Sequence, residues 1–267
     1  MVGPGVGANA RRRSPSPVER VGPVERVRPV EPVGIRIQAD LRGRFVRRYK
    51  RFFADILTDD GRELTVHCAN PGSMLGFHRP GAAVRCSTSD DPRRKLRHSL
   101  EMMRIGRVWV GLHCLRANDL IARALAAGVP TELAGYAEQR REVRVAERSR
   151  LDFQLSGRGR DRRVAYVEVK TVTMAEGRIA MFPDSVTARG RKHLEVLSGI
   201  RRGGDRAVLL YAVLRADCDR VELAAAIDPA YAAALRAAAR AGVEILALGA
   251  RVTARAITIE RSLPVVL

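Results

Sequence analysis

Two short runs in the second half of the chain alternate between apolar and polar positions. In residues 150–155 (RLDFQL), Leu151, Phe153 and Leu155 share one side, and Arg150, Asp152 and Gln154 the other. In residues 165–170 (AYVEVK), Ala165, Val167 and Val169 face inward, which leaves Glu168 and Lys170 side by side on the opposite face. Period-two alternation predicts strands, and residues 142–145 and 207–214 also read as strands. Elsewhere in this half the spacing is helical. Residues 185–198 predict a helix that Asp184 or Ser185 can cap. A further helix opens at Asp228-Pro229 and closes at Gly242, with Asp at the cap, Pro in the first turn and Gly just past the end. Strands and helices in this order predict an α/β domain with a central mixed sheet over residues 116–267.

The first half carries strand signals only. Residues 45–57 form a long aromatic-rich run, Asp59-Asp60-Gly61 makes a hairpin turn, and residues 63–68 return. Residues 81–87, 96–103 and 108–114 are three further strand candidates. Five or so short strands within 35–115 predict a small closed barrel of the OB type. A helix follows, with Asn118 as its cap, Leu120, Ile121, Ala124 and Leu125 as its apolar face and Gly128 at its end. Residues 1–34 differ from both halves. A six-residue unit repeats there as PVERVG, PVERVR and PVEPVG, and a proline every six residues forbids a helix. With no aromatic residue to nucleate a core, this segment reads as a disordered or polyproline-like arm.

Charge narrows the partner. The chain carries a formal net charge of +19, of which the first 34 residues supply +3 and the remainder +16. A basic excess spread through the folded regions points to a polyanion. Nucleic acid is favoured over a membrane surface because no amphipathic anchor accompanies the charge. No apolar run approaches the roughly 18 residues of a span, and no signal-type segment opens the chain, so a cytoplasmic protein is expected. The four cysteines lack CxxC spacing and are expected to be reduced and buried. His67-Cys68 and His113-Cys114 invite a zinc reading, but neighbours on a strand point to opposite faces and do not easily chelate one ion.

If the strands at 142–145, 150–155 and 165–170 are neighbours, Glu142, Asp152, Glu168 and Lys170 converge on one patch of sheet. That set suits phosphodiester hydrolysis. Asp152 and Glu168 offer hard oxygen ligands for Mg²⁺ or Mn²⁺, and Mg²⁺ commonly takes one or two carboxylates and keeps several waters. Such a metal neutralises charge on the phosphate and acidifies an attacking water. Lys170 would orient or deprotonate that water, or stabilise the transition state. Glu142 would complete the metal site or anchor the water. The competing reading is an exposed sheet face with ordinary charges. Against it, Val167 and Val169 belong to a buried strand, where charge must be compensated.

Two basic stretches complete the picture. Arg189, Lys192 and His193 fall at i, i+3 and i+4 of the helix at 185–198, either gripping phosphates or forming a solvated face; His193 is alternatively a second general acid or base. Residues 42–51 hold Arg42, Arg44, Arg47, Arg48, Lys50 and Arg51 with no acid, interleaved with Phe45 and Tyr49 and followed by Phe52 and Phe53. Cations and aromatic platforms hold single strands on OB-folds, though each ring singly can instead fill the barrel core. The loop HCANPGSM at 67–74 is a turn whose amides either cradle a phosphate or serve the turn alone.

Together RYKRFFAD (48–55), HCANPGSM, Arg93–Lys95 with Glu101, SRLDF (149–153), VEVK (167–170) and residues 182–194 resemble the bacterial sugar fermentation stimulation protein A family, from about Leu41 to the C-terminus. The resemblance implies an OB-fold joined to a restriction-endonuclease-like domain of the PD-(D/E)xK nuclease superfamily, α+β overall. Asp152 matches the Asp of that motif and Glu168-Val169-Lys170 its (D/E)xK; Leu151 stands where the motif has proline. It implies a metal-dependent nuclease acting on DNA or RNA, with no small-molecule cofactor. The alternative from the same resemblance is a non-catalytic DNA-binding regulator of sugar metabolism that retains the fold.

Overall fold

The computed structural model describes Met1, residues 33–146 and residues 149–267, and among those residues there are seventeen strands and three α-helices. The repeat-bearing arm expected over 1–34 falls almost wholly outside those residues. The first seven strands are β1 (Gly34–Arg36), β2 (Leu41–Tyr49), β3 (Phe53–Thr58), β4 (Glu63–His67), β5 (Ala83–Thr88), β6 (His98–Ile105) and β7 (Val108–Gly111). Strands β2 to β6 close a five-stranded barrel in the order β4-β3-β2-β5-β6, and His67 of β4 pairs with Ser99 of β6 to shut the ring. Phe45, Ile56, Val66, Leu100 and Met103 fill its interior. The run at 45–57 is two strands, not one. It reverses at Lys50 and Arg51, which both take left-handed φ, 46° and 63°, so that Tyr49 pairs with Phe53. The next hairpin lies where Asp59-Asp60-Gly61 placed it, with Leu57 opposite Glu63.

Strand β1 does not join the barrel. It pairs antiparallel with a strand near the C-terminus, and Ile35 and Ile37 are buried in the core of the α/β half. The barrel expected over 35–115 therefore starts at β2, and the six residues before it serve the other half.

That half contains α1 (Cys114–Ala126), β8 (Glu138–Ala146), β9 (Ser149–Ser156), β10 (Ala165–Val172), β11 (Ala175–Glu176), β12 (Ile179–Phe182), α2 (Ala188–Arg202), β13 (Arg206–Val213), β14 (Arg220–Leu223), α3 (Pro229–Arg240), β15 (Glu244–Val252), β16 (Ala256–Ser262) and β17 (Val265–Val266). The main sheet runs β1-β16-β15-β13-β10-β9-β8. Its centre, β10, β13 and β15, is parallel and its flanks are antiparallel. All eight residues of β13 are buried because both faces are covered. Val208, Leu210 and Ala212 pack with Leu120, Ile121 and Ala124 of α1; Leu209, Tyr211 and Val213 pack with Leu194 and Leu197 of α2 and Leu235 of α3. β11, β12, β14 and β17 form a small second sheet.

Caps fix the helices that frame the site. Thr187, not the expected Asp184 or Ser185, caps α2 by accepting from the Gly190 amide at 3.0 Å. Asp228 caps α3 as expected, accepting from the Tyr231 amide at 2.9 Å, and also accepts from the Thr187 amide at 2.8 Å, so one carboxylate secures both helix starts. α1 begins at Cys114, one turn before Asn118, and has no side-chain cap. No helix among the described residues is long and apolar enough to cross a membrane.

Candidate active site

Strands β9 and β10 pair antiparallel through Val167 opposite Phe153, and just beyond that pair the polar residues meet. Asp152 Oδ2 accepts from the Val169 amide at 2.7 Å, a backbone donor between Glu168 and Lys170. Its other oxygen accepts from Asn118 Nδ2 at 2.8 Å. Lys170 Nζ donates to Glu168 Oε1 at 2.5 Å, and the same oxygen accepts from His193 Nδ1–H of α2. A carboxylate offers no proton, so the ring nitrogen must be the donor. Glu168 is 4% exposed and His193 5%.

The electrostatics follow from burial. Loss of water, then repulsion from Glu168, pushes the Asp152 carboxyl up to about 6 against the opposing pull of the Val169 amide, Lys170 and Asn118. Burial also pushes Glu168 up, but His193 and Lys170 outweigh it and hold that carboxyl below its ordinary value. Two adjacent carboxylates in such a setting favour a cation beside them. Their hard oxygens suit a divalent ion that takes few protein ligands and keeps its waters, so Asp152 and Glu168 fit Mg²⁺ or Mn²⁺. A three-carboxylate cage is another matter. Among the described residues no group of three His, Cys, Asp or Glu side chains stands close enough to hold a metal. Glu142, expected to complete the metal site or anchor the water, is exposed at φ 54°, with its carboxylate 3.5 Å from Arg150. It nonetheless lines the same cavity as Asp152 and Glu168.

Two cavities open onto this centre. One, of about 750 Å³, is lined by Glu142, Arg144, Arg150, Arg189 and Lys192 together with Asp152, Glu168 and His193. The other, of about 570 Å³, lies between the barrel and the α/β half and reaches from Arg51 and the loop at 70–72 to Asp152, Glu168 and Lys170. Arg189 and Lys192 are exposed along the basic side of α2, as their spacing predicted. His193 is not on that face. It is turned inward onto Glu168 and so positions a carboxylate, while still lining the cavity.

The basic stretch of the barrel divides by role. Arg48 is a clamp: its guanidinium donates to the carbonyls of Arg51, Asn70, Gly72 and Ser73 at 2.7–3.1 Å and is spent within the protein. Arg47 pairs with Asp55 at 2.7 Å and lies over the Tyr49 ring, and Tyr49 stacks on Phe53 at 5.6 Å. Arg44 donates to the Gly81 carbonyl at 3.0 Å and is otherwise exposed, as is Lys50. Arg51 donates to the Pro71 carbonyl at 2.8 Å and borders the cleft. Of the aromatic residues, Phe45 fills the core, whereas Phe52 is 43% exposed and stacks on His67.

The loop at 67–74 proves to be a docking turn. Asn70 Oδ1 accepts from the Gly72 amide at 2.9 Å, while Ser73 Oγ and the Met74 amide donate across the cleft to the Asp184 carbonyl (2.5 Å) and carboxylate (2.9 Å). Those amides are engaged by side chains and are not free to cradle a phosphate. The sequence reading missed Asn118, assigned to a helix cap, and Asp184, assigned to another. For Asn118 the available signal was a polar amide in mid-helix beside the apolar stripe of Leu120 and Ile121.

Residues 46–112 match the family described as SfsA N-terminal OB domain, and residues 115–256 match the one described as Sugar fermentation stimulation protein RE domain. The chain is similar to the sugar fermentation stimulation protein homolog of Rhodospirillum centenum, 50% identical over 82% of this chain and 93% of that protein. The homolog from Caulobacter vibrioides is 46% identical over 83% of this chain and 92% of its own. Among solved structures, Pyrococcus furiosus SfsA in complex with Ca²⁺ superposes with a TM-score of 0.79 at 26% identity, covering 87% of this chain and 98% of that one.

Proposed function

The chain belongs to the sugar fermentation stimulation protein family, and from that premise we propose that it is a metal-dependent nuclease that hydrolyses phosphodiester bonds of DNA or RNA. Its OB domain fits nucleic-acid binding. One observation carries the catalytic reading: buried Glu168 and half-buried Asp152 lie on neighbouring strands with Lys170 in hydrogen-bond contact, where two cavities with basic linings meet. A carboxylate can be buried only when paired, as Glu168 is by Lys170 and His193, and clusters of titratable groups of this kind concentrate at sites of chemistry. The Pyrococcus relative is named as a Ca²⁺ complex, and Ca²⁺ is a hard cation of the class carboxylates prefer.

A divalent cation held by Asp152 and Glu168 supplies charge neutralisation at the phosphate and acidification of water. The side chains do the rest. Asn118 and the Val169 amide fix both oxygens of Asp152, and His193 fixes Glu168. Lys170, with 16% of its side chain exposed, presents an ammonium to the reacting phosphate, where it orients water or offsets the charge that develops. Arg189 and Lys192 grip the phosphates to one side.

The relatives' name favours a second reading, a nucleic-acid-binding regulator without turnover. One assay separates the two: labelled single- and double-stranded DNA and RNA incubated with Mg²⁺, Mn²⁺ or EDTA, beside Lys170→Ala. The nuclease reading expects metal-dependent cutting that Lys170→Ala abolishes while binding persists. Binding without cutting under every metal condition gives the regulator.

A further inference from the structure

The two cavities have Asp152, Glu168, Ala188 and Arg189 in common, so they are halves of one groove that crosses the catalytic centre. The halves differ in chemistry. One is walled by Arg144, Arg150 and Lys192. The other adds a surface of a different kind: Leu115 at the start of α1 and Val186 before α2 both line it, and they are 66% and 69% exposed. A lone exposed apolar residue is ordinary. Two of them in the cleft that leads to a charged centre form a surface that nothing among the described residues covers. An apolar wall within a basic groove matches the face of a nucleobase beside its phosphates. A duplex keeps its base faces stacked inside, and only an unpaired strand can offer one.

Size and closure argue in the same direction. A cleft of about 570 Å³ is on the scale that encloses a small ligand. Ser73 and Met74 of the barrel are hydrogen-bonded to Asp184 of the α/β half, which ties the barrel loop to the segment that also lines this cleft.

We propose that the groove takes a single unpaired nucleic-acid strand, its phosphates along Arg51, Arg189 and Lys192 and one base against Leu115 and Val186. The nuclease reading gives the centre its chemistry; the strand class is tested apart from it. The experiment uses the full chain in EDTA, with a fluorescent oligonucleotide of about 16 nucleotides, the upper end of what one OB-fold covers. Anisotropy compares this strand with the blunt duplex of the same sequence for the wild type, Leu115→Asp and Val186→Asp. Both positions are largely exposed, so the substitutions are expected to leave the circular dichroism spectrum unchanged.

The expected result is at least about tenfold tighter binding of the single strand, and loss of about tenfold or more of that affinity in each variant, the worth of one stacked base. Duplex binding should not change. Equal affinity for strand and duplex, or variants that bind the strand as the wild type does, would overturn the inference. Adding Mn²⁺ separates the two claims. A Leu115-dependent strand preference with no cutting upholds the inference and sinks the nuclease reading; cutting inside a blunt duplex, unaffected by Leu115→Asp, does the reverse.

Discussion

Asn118 Nδ2 lies 2.8 Å from Asp152 Oδ1, so the helix that follows the barrel reaches directly into the acidic centre. With the Val169 amide on the other oxygen, the carboxylate has no freedom to rotate. Asn118→Ala is expected to leave the fold intact, lower cleavage about 10- to 100-fold and raise the Mg²⁺ concentration needed for half-maximal rate, the usual cost of losing an outer partner of a metal ligand. A metal titration of the purified variant reads both quantities. An unchanged rate and an unchanged half-saturation would show that the contact does not position Asp152.

Arg48 and Arg189 look alike in sequence and should behave differently. Arg48 satisfies four carbonyls, so Arg48→Ala is expected to cost about 1–3 kcal/mol of stability and to leave the salt slope of nucleic-acid binding near the wild-type value. Arg189 is exposed on α2, and Arg189→Ala should leave stability nearly unchanged while lowering that slope by about one. Urea denaturation and binding isotherms at several salt concentrations test the pair together.

Glu101 of β6 is almost wholly buried and accepts from both ends of the Arg116 guanidinium and from Ser87 Oγ. Burial pushes its carboxyl up, but Arg116, His113 and Ser87 together outweigh that and leave it below the ordinary value of 4.5. Its contribution to stability is therefore complete above the unfolded value and is lost as pH falls through the lower folded one. Wild-type stability should drop as acid protonates this carboxylate, and Glu101→Gln should flatten that part of the profile. Arg116→Ala, which strands the buried charge, is expected to cost about 3–5 kcal/mol at neutral pH.

Gly72 comes so close to Asp184 that an added Cβ would lie 2.6 Å from Oδ2. Gly72→Ala should therefore disturb the docking of the barrel loop and destabilise by about 1–3 kcal/mol. Because the obstacle is the Asp184 carboxylate, the double variant with Asp184→Ala should lose less than the two single losses combined. Strict additivity in that cycle would place the strain elsewhere.

Alternation alone set Glu168 and Lys170 on one face and the register brought Asp152 to them, because side-chain direction along a strand is a local property. The Asp228-Pro229…Gly242 helix was equally legible, since its cap and stop are written in adjacent residues. What escaped the sequence depended on distant parts of the chain. Asn118 resembles a helix cap by residue type, yet α1 starts a turn earlier and its amide serves Asp152, a contact spanning 34 positions. His193 fits a basic face by spacing, and only the packing of α2 on the sheet turns its ring onto Glu168. Glu142 alternates correctly but sits at a left-handed backbone position that a pattern of polar and apolar residues cannot report. The short strands of the second sheet carry too few residues for any period to emerge.

The pairing of β1 with β16 makes the barrel an insertion: the chain enters the α/β half, leaves to build the barrel, and returns at α1. A fragment that begins at Cys114 is consequently incomplete, because it lacks the strand that covers β16 and leaves that edge open to pairing with other chains. Cutting the two halves apart at their apparent seam should yield an aggregating product, whereas a short bridge from Arg36 to α1 would preserve the edge. Removing the N-terminal residues through the barrel would take β1 away with it and lay bare the rim of the main sheet.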